Sequence, residues 1–246
     1  CPTLSTSGYV TETTDEAWRA LGTHLAPTWL AGNRVPAPGL PAASAAMADA
    51  TLDARLRCRG VSLAEHLVGS TAVGASPGTL SSAVQWCAVI ADVSVTPAAA
   101  ARAARDAVDA GASMLKYKFA DPSHLREVIA AVRGVTRVGI AADANGSLSP
   151  EEARAVDDLG LVYLEQPLPD GTPWSKLAHL TGSLATPVCL DESLRSPDAL
   201  ADAISTGAID VASIKASRMG GVLNAATAVR LCAARGGGRC AAGGIE

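Results

Sequence analysis

The feature that most constrains the fold is a regular alternation of short apolar runs with segments of helical length, beginning near residue 84. In the first repeat, the apolar run 84–91 is followed by Thr96 as a helix N-cap, Pro97 at the first helical position and Gly111 at the helix end. The pattern predicts further strands at 113–119, 138–142, 161–164, 187–190, 209–214 and 239–242. The intervening helices are predicted to begin at Pro122, to be capped by Ser149, and to lie near 173–182, 196–206 and 221–235.

Strands that are mostly continuous apolar runs, alternating with helices, indicate a parallel sheet that is covered on both faces or closed into a barrel. The repeats run consecutively, and no GxGxxG motif follows the first strand, so a barrel is favoured over a dinucleotide-binding sheet. We therefore predict an α/β fold of the (β/α)8-barrel type, with its strands 1–7 in residues 81–246. The segment from Thr14 to about Gly60 is predicted to be helical without a sheet, and a Gly/Ser/Pro-rich connection at 68–82 follows it.

Composition excludes several classes of partner. Hydrophobic residues make up 48% of the 246 residues, and the net charge is -4. The arginines are scattered along the sequence and form no basic stripe that would bind nucleic acid or an anionic membrane surface. No apolar run approaches the roughly 18 residues of a membrane span, and we predict a cytoplasmic protein. The cysteines form no CxxC pair, which argues against a zinc site and against a disulfide framework.

Five consecutive predicted strands carry charged residues at their carboxyl ends. These are Lys116 and Lys118 on the second strand, Asp143 on the third with Asn145 after it, Glu165 on the fourth, Asp191 with Glu192 on the fifth and Lys215 on the sixth. The intervals from Lys118 onward are 25, 22, 26 and 24 residues, which is one strand-helix unit each. Since a barrel enzyme builds its active site at this end of the strands, the spacing predicts a single site.

The three carboxylates of this set predict a metal ion. Asp143, Glu165 and Asp191 would repel one another at neutral pH unless a cation lay between them. Ligation by oxygen alone suits Mg2+ better than zinc, with Mn2+ as an alternative.

Lysine is rare in this chain and concentrated in the predicted site. Arginine outnumbers lysine sixteen to four, and three of the four lysines follow the strand period. Lys116 and Lys118 share a face because strand side chains alternate. Beside a second ammonium group and a metal ion, Lys118 is expected to lose part of its proton affinity and to act as a base, which arginine cannot do.

Other polar residues have a structural interpretation. An isolated acid after a strand is commonly a helix cap or an exposed loop residue, and this alternative is left open for Asp121, Asp170 and Glu192. Lys176 is predicted to lie on a helix surface, and the four histidines are assigned no chemistry.

The segments "LKYKF", "ADAN", "YLEQPL", "CLDES" and "IKASRMGG" resemble, in order and spacing, the muconate-cycloisomerase-like branch of the enolase superfamily. The resemblance implies that residues 1–80 are the helical portion of a partial capping domain. It also implies a capping sheet and an eighth barrel strand, so we expect the functional polypeptide to extend beyond Cys1 and Glu246. Arg218, followed by Gly220 and Gly221, is similar to the subgroup of o-succinylbenzoate synthases and N-succinylamino acid racemases.

The resemblance also implies roles for the site residues. The family removes a proton α to a carboxylate and forms an enediolate held by Mg2+, with Asp143, Glu165 and Asp191 as metal ligands and Lys118 as the base. Lys116 would support the substrate carboxylate, and Asn145, Arg218 and Gly243 would also contact the substrate. Gly243 lies in the segment "AAGGIE", which matches the family's seventh-strand pattern only loosely. Lys215 would remain cationic in a synthase and would be the second base in a racemase.

Three functions follow from these roles. The leading one is o-succinylbenzoate synthesis by dehydration in menaquinone biosynthesis, and the nearest alternative is N-acylamino acid racemisation. A non-catalytic or fragmentary barrel is the third. The expected partner is a small-molecule carboxylate, and the formation of a homo-oligomer is left open.

Overall fold

The structure is a computed structural model, and it describes residues 12–33, 39–69 and 85–234 together with the backbone of 239–242. The chain divides into two compact units. The first contains Cys1–Ser82, Leu194–Leu200 and Ser213–Glu246, and the second contains Ala83–Ser193 and Ala201–Ala212. The domain boundary predicted between residues 80 and 81 stays a prediction.

The amino-terminal part of the first unit is helical, as predicted. Its elements are α1 (Thr14–Ala20), a π-helical turn (Leu21–Leu25), α2 (Ala26–Leu30), α3 (Pro41–Arg59) and α4 (Leu63–Gly69). Helix α1 begins with a capping box between Thr13 and Glu16, and α3 ends at Gly60, which takes the left-handed conformation that favours glycine. Ala17, Leu25 and Ala43 form a small buried cluster between these helices.

The remaining elements alternate between strands and helices. The strands are β1 (Cys87–Ile90), β2 (Met114–Lys118), β3 (Gly139–Asp143), β4 (Leu164–Glu165), β5 (Val188–Leu190), β6 (Val211–Ile214) and β7 (Arg239–Ala242). The helices are α5 (Pro97–Asp109), α6 (Pro122–Arg133), α7 (Pro150–Ala155) with a 3-10 turn after it (Asp157–Leu159), α8 (Trp174–Thr181), α9 (Pro197–Thr206) and α10 (Val222–Ala234).

The strands form one sheet in chain order from β1 to β7, and β1 to β6 pair in parallel. Each parallel connection requires a crossover, and the helices supply it. Leu115, Leu164 and Leu190 are completely buried along the strands, as expected for a sheet covered on both faces. The predicted α/β fold of the (β/α)8-barrel type is confirmed.

The predicted helix starts are also confirmed. Thr96 caps α5 by accepting a hydrogen bond from the backbone N–H of Ala99, and Ser149 forms a capping box with Glu152 at α7. Asp121 caps α6, in agreement with the structural alternative left open for it.

The fourth strand differs from the prediction of 161–164. Val162 donates a backbone hydrogen bond to Ile140 of β3, but regular pairing covers only Leu164 and Glu165. Glu165 is therefore the last residue of its strand.

The strand order has β1 and β7 at its two ends. The expected extension of the polypeptide beyond both termini stays a prediction. None of the described helices is both long enough and apolar enough to cross a membrane.

Candidate active site

Strand β2 directs its two lysines to one face of the sheet and its tyrosine to the other. The hydroxyl of Tyr117 donates a hydrogen bond to the backbone carbonyl of Ala100 in α5, 3.2 Å away. Lys116 and Lys118 lie on the opposite face, as strand alternation predicts. Both lysine side chains are 11% exposed, so their ammonium groups lie in a largely water-excluded region.

Each lysine of β2 faces a carboxylate at the end of another strand, Lys118 that of adjacent β3 and Lys116 that of β4, the strand beyond it. The Nζ of Lys116 lies 3.1 Å from Oε2 of Glu165, and the Nζ of Lys118 lies 3.8 Å from Oδ2 of Asp143. The pairing register places Lys118 opposite Asp143 and Asp143 opposite Glu165. Parallel pairing thus brings four of the predicted site residues together in the second unit.

Asp191 follows directly after β5 and is completely buried. Burial raises the pKa of both Asp143 and Glu165, and the negative charge of Asp191 adds to the rise. Burial is the larger cause in each case, because it removes the water that would stabilise a charged carboxylate. For Asp143, the backbone N–H of Asn145 and the two lysines partly offset the rise.

The pKa of Glu165 is raised into the neutral range. Burial, followed by the charge of Asp143, raises its pKa to about 7, although Lys116 acts in the opposite direction. Lys116 therefore only partly offsets the effect of burial and of Asp143 on Glu165, so a cation close to Glu165 would be favourable.

The loop after β3 adds a second network. Asn145 has a positive φ of 45°, and its side-chain amide donates hydrogen bonds to Oδ2 of Asp143 at 3.3 Å and to Oε1 of Glu192 at 3.0 Å. This orientation directs the Asn145 amide at two carboxylates, and the predicted substrate contact by Asn145 stays a prediction.

The alternative that Glu192 is an exposed loop residue does not hold. Glu192 is only 5% exposed, and burial, followed by the charge of Asp191, raises its pKa. The signal in the sequence was its position directly after Asp191, at the end of a strand whose last residues are buried. Gln166, directly after Glu165, was also missed and is completely buried.

The three predicted metal ligands fit Mg2+ in their donor chemistry. They supply only carboxylate oxygens, which this ion prefers. Oε1 of Glu165 is buried and has no hydrogen-bond partner among the described residues, which leaves an oxygen available for a cation. Within the described ranges, no three His, Cys, Asp or Glu side chains are already gathered as a metal cluster.

The remaining predicted site residues lie outside this unit or outside the described ranges. Lys215 follows directly after β6 and is 5% exposed, and Arg218 is 1% exposed. The backbone N–H groups of Arg218 and Met219 donate to the carbonyl of Lys215, which closes a tight turn. Both Lys215 and Arg218 belong to the first unit, so their place beside the carboxylates stays a prediction. Gly243 lies outside the described residues.

Comparison with known proteins identifies the family. A family model described as "Enolase C-terminal domain-like" matches residues 99–245. The chain belongs to the enolase superfamily. An N-succinylamino acid racemase from Amycolatopsis sp is 32% identical over 96% of this enolase-superfamily chain and 65% of that protein.

Other superfamily members are similar over different lengths. An o-succinylbenzoate synthase from Geobacillus stearothermophilus is 38% identical over 51% of this chain and 34% of that protein. A solved structure from Alicyclobacillus acidocaldarius, described as a probable mandelate racemase, matches with a TM-score of 0.81 and 31% identity. The match covers 99% of this chain and 65% of that one. The chain thus spans less than two thirds of the length of each of these relatives.

Proposed function

We propose that this protein is a Mg2+-dependent enzyme that removes a proton α to a carboxylate, and that its reaction is the dehydration that forms o-succinylbenzoate. The observation that carries the proposal is the pair of buried lysine–carboxylate contacts at the ends of the three consecutive strands β2, β3 and β4. The similarity to o-succinylbenzoate synthases supports the choice of reaction. On this proposal the protein is a cytoplasmic lyase of menaquinone biosynthesis, and its partner is a small-molecule carboxylate.

Each residue of the site has a defined task in this reaction. Asp143, Glu165 and Asp191 would hold Mg2+, which supplies positive charge to the substrate carboxylate when it is bound. Lys118, as the neutral amine, accepts the α-proton and becomes an ammonium group. Lys118 then donates a proton to the leaving hydroxyl, which departs as water, and the two transfers balance.

Lys116 and the burial of the site support this proton transfer. The ammonium group of Lys116 donates a hydrogen bond to Glu165, and it places a positive charge close to Lys118 and to the substrate carboxylate. The low exposure of both lysine side chains keeps water from competing for the proton.

Racemisation of N-succinylamino acids is the second candidate on the same residues. It is favoured by the match to the Amycolatopsis racemase, which covers 96% of this chain. A racemase requires a second base, and Lys215, directly after β6, would take that role.

One pair of assays separates the two functions. A synthase converts the hydrated precursor into o-succinylbenzoate, and the aromatic product is followed by its absorbance. A racemase incubated in D2O with one enantiomer of N-succinylphenylalanine incorporates α-deuterium and loses optical rotation. We expect product formation in the first assay without exchange in the second.

Exchange without dehydration would replace the synthase proposal with the racemase. Absence of both reactions in Mg2+-loaded, folded protein would overturn the proposal and favour the non-catalytic barrel.

A further inference from the structure

Gln166 uses every hydrogen-bonding position of its side-chain amide inside the protein. Its Nε2 donates to the carbonyl oxygen of Leu168 at 2.9 Å and to Oγ of Ser193 at 2.8 Å. Its Oε1 accepts from the backbone N–H groups of Asp191 at 3.0 Å and Ser193 at 3.3 Å. Since a primary amide offers two donors and accepts two bonds, this buried group is fully satisfied.

The main chain of Gln166 joins the same strand ends. Its N–H donates to the carbonyl of Cys189 in β5 at 2.8 Å, and its carbonyl accepts from Gly146 in the loop after β3 at 2.7 Å. Gln166 thus lies at the meeting point of the segments that carry Asp143, Glu165 and Asp191.

The backbone of Gln166 is strained. Its φ is 37°, a conformation that residues other than glycine rarely adopt, and the following proline favours an extended backbone instead. Strain of this kind persists only where surrounding contacts hold it, and it is concentrated at functional sites. At Gln166, the hydrogen bonds of the side-chain amide are the contacts that keep the backbone in this strained conformation.

We propose that Gln166 is a positioning residue that sets the distance and orientation of Asp191 relative to Glu165 before the metal binds. It acts through the backbone of Asp191 and touches neither substrate nor metal. The inference rests on the proposed Mg2+-dependent function, because the distance between Asp191 and Glu165 matters here only if the two carboxylates bind the same cation.

The test compares Mg2+ affinity, measured by isothermal titration calorimetry on the full chain, between the wild type and Gln166→Met. Methionine has a similar length and volume, but it lacks both the N–H donors and the carbonyl acceptor of the amide. Loss of a group that orients a metal ligand weakens metal binding by roughly 10- to 100-fold, and we expect a loss in that range.

Thr186→Val is the matched control for a purely structural effect. Thr186 is also buried, and its hydroxyl donates to the carbonyl of Asp157 at 3.1 Å, but it precedes β5 and therefore lies away from the carboxyl ends. Thermal unfolding of both variants reports the stability loss, and Mg2+ affinity is expected to fall only in Gln166→Met. Equal losses of affinity in both variants, or unchanged affinity in Gln166→Met, would overturn the inference.

If Gln166→Met does not fold, hydrogen exchange in the wild type tests whether Asp191 is positioned before the metal binds. The backbone amide of Asp191 should be protected from hydrogen exchange in metal-free protein, because Gln166 already holds it. Protection that appears only after Mg2+ is added would show that the metal orders Asp191, and the inference would be wrong. If the folded wild type binds no Mg2+, the proposed function itself fails, which separates the two results.

Discussion

Glu165→Gln should flatten the pH dependence of stability in the metal-free protein. Glu165 is completely buried, and burial followed by the charge of Asp143 raises its pKa from an ordinary 4.5 to about 7. A carboxyl group whose folded pKa exceeds its unfolded pKa binds its proton more tightly in the folded state. Its contribution to stability is therefore full below pH 4.5 and is lost as the pH rises to about 7.

The size of this loss follows from the shift. Each pKa unit corresponds to about 1.4 kcal/mol, so a rise from 4.5 to about 7 represents on the order of 3 kcal/mol in the free energy of unfolding. Glutamine does not titrate but keeps an oxygen that accepts from Lys116, so the variant should lose this dependence while Asp143 and Glu192 retain theirs.

Urea unfolding in EDTA at several pH values between 5 and 8 measures the effect. Glu151→Gln, an exposed change on α7, is the control and should leave the wild-type slope unchanged. If the wild-type and Glu165→Gln curves ran parallel across this range, Glu165 would not titrate as the site geometry requires.

The remaining predictions concern the metal, a helix cap and a loop. Treatment with EDTA should abolish turnover, and added Mg2+ should restore it; full activity in metal-free protein would contradict the role of the carboxylates. Ser149→Ala should lower the free energy of unfolding by about 1 kcal/mol in urea, because the capping box at α7 is lost; an unchanged midpoint would contradict this. Gly146→Ala should destabilise the protein by roughly 1–3 kcal/mol in the same assay, since φ is +76° and a Cβ would lie 3.1 Å from Cα of Pro169. A stabilised variant would show that this loop can move aside.

The charged residues at the strand ends could be predicted from the sequence because two rules act together. Parallel strands present their carboxyl ends at one edge, and side chains alternate along each strand. Lys116, Lys118, Asp143 and Glu165 all lie within regular strands, so both rules apply to them.

Both rules fail where the backbone leaves the extended conformation. Asn145 and Gln166 have positive φ values of 45° and 37°, so strand alternation no longer indicates where their side chains point. Glu192 lies beyond the end of β5, outside the regular strand, so strand alternation does not indicate the direction of its side chain either. Its side chain accepts a hydrogen bond from Asn145 in the loop after β3, which lies 47 positions away in the chain, and no local sequence pattern indicates this contact.

The most direct test of the account is the turnover of Lys118→Ala beside that of Lys176→Ala. Lys118 is the proposed base, whereas Lys176 is exposed on α8, and both substitutions replace a lysine side chain with a methyl group. With Mg2+ and the hydrated precursor of o-succinylbenzoate, Lys118→Ala should lose roughly 10²- to 10⁴-fold or more in kcat, the range for general bases. Lys176→Ala should keep wild-type turnover, and circular dichroism should show both variants folded. Comparable losses in the two variants, or full activity in Lys118→Ala, would contradict the assignment of Lys118 as the residue that removes the proton.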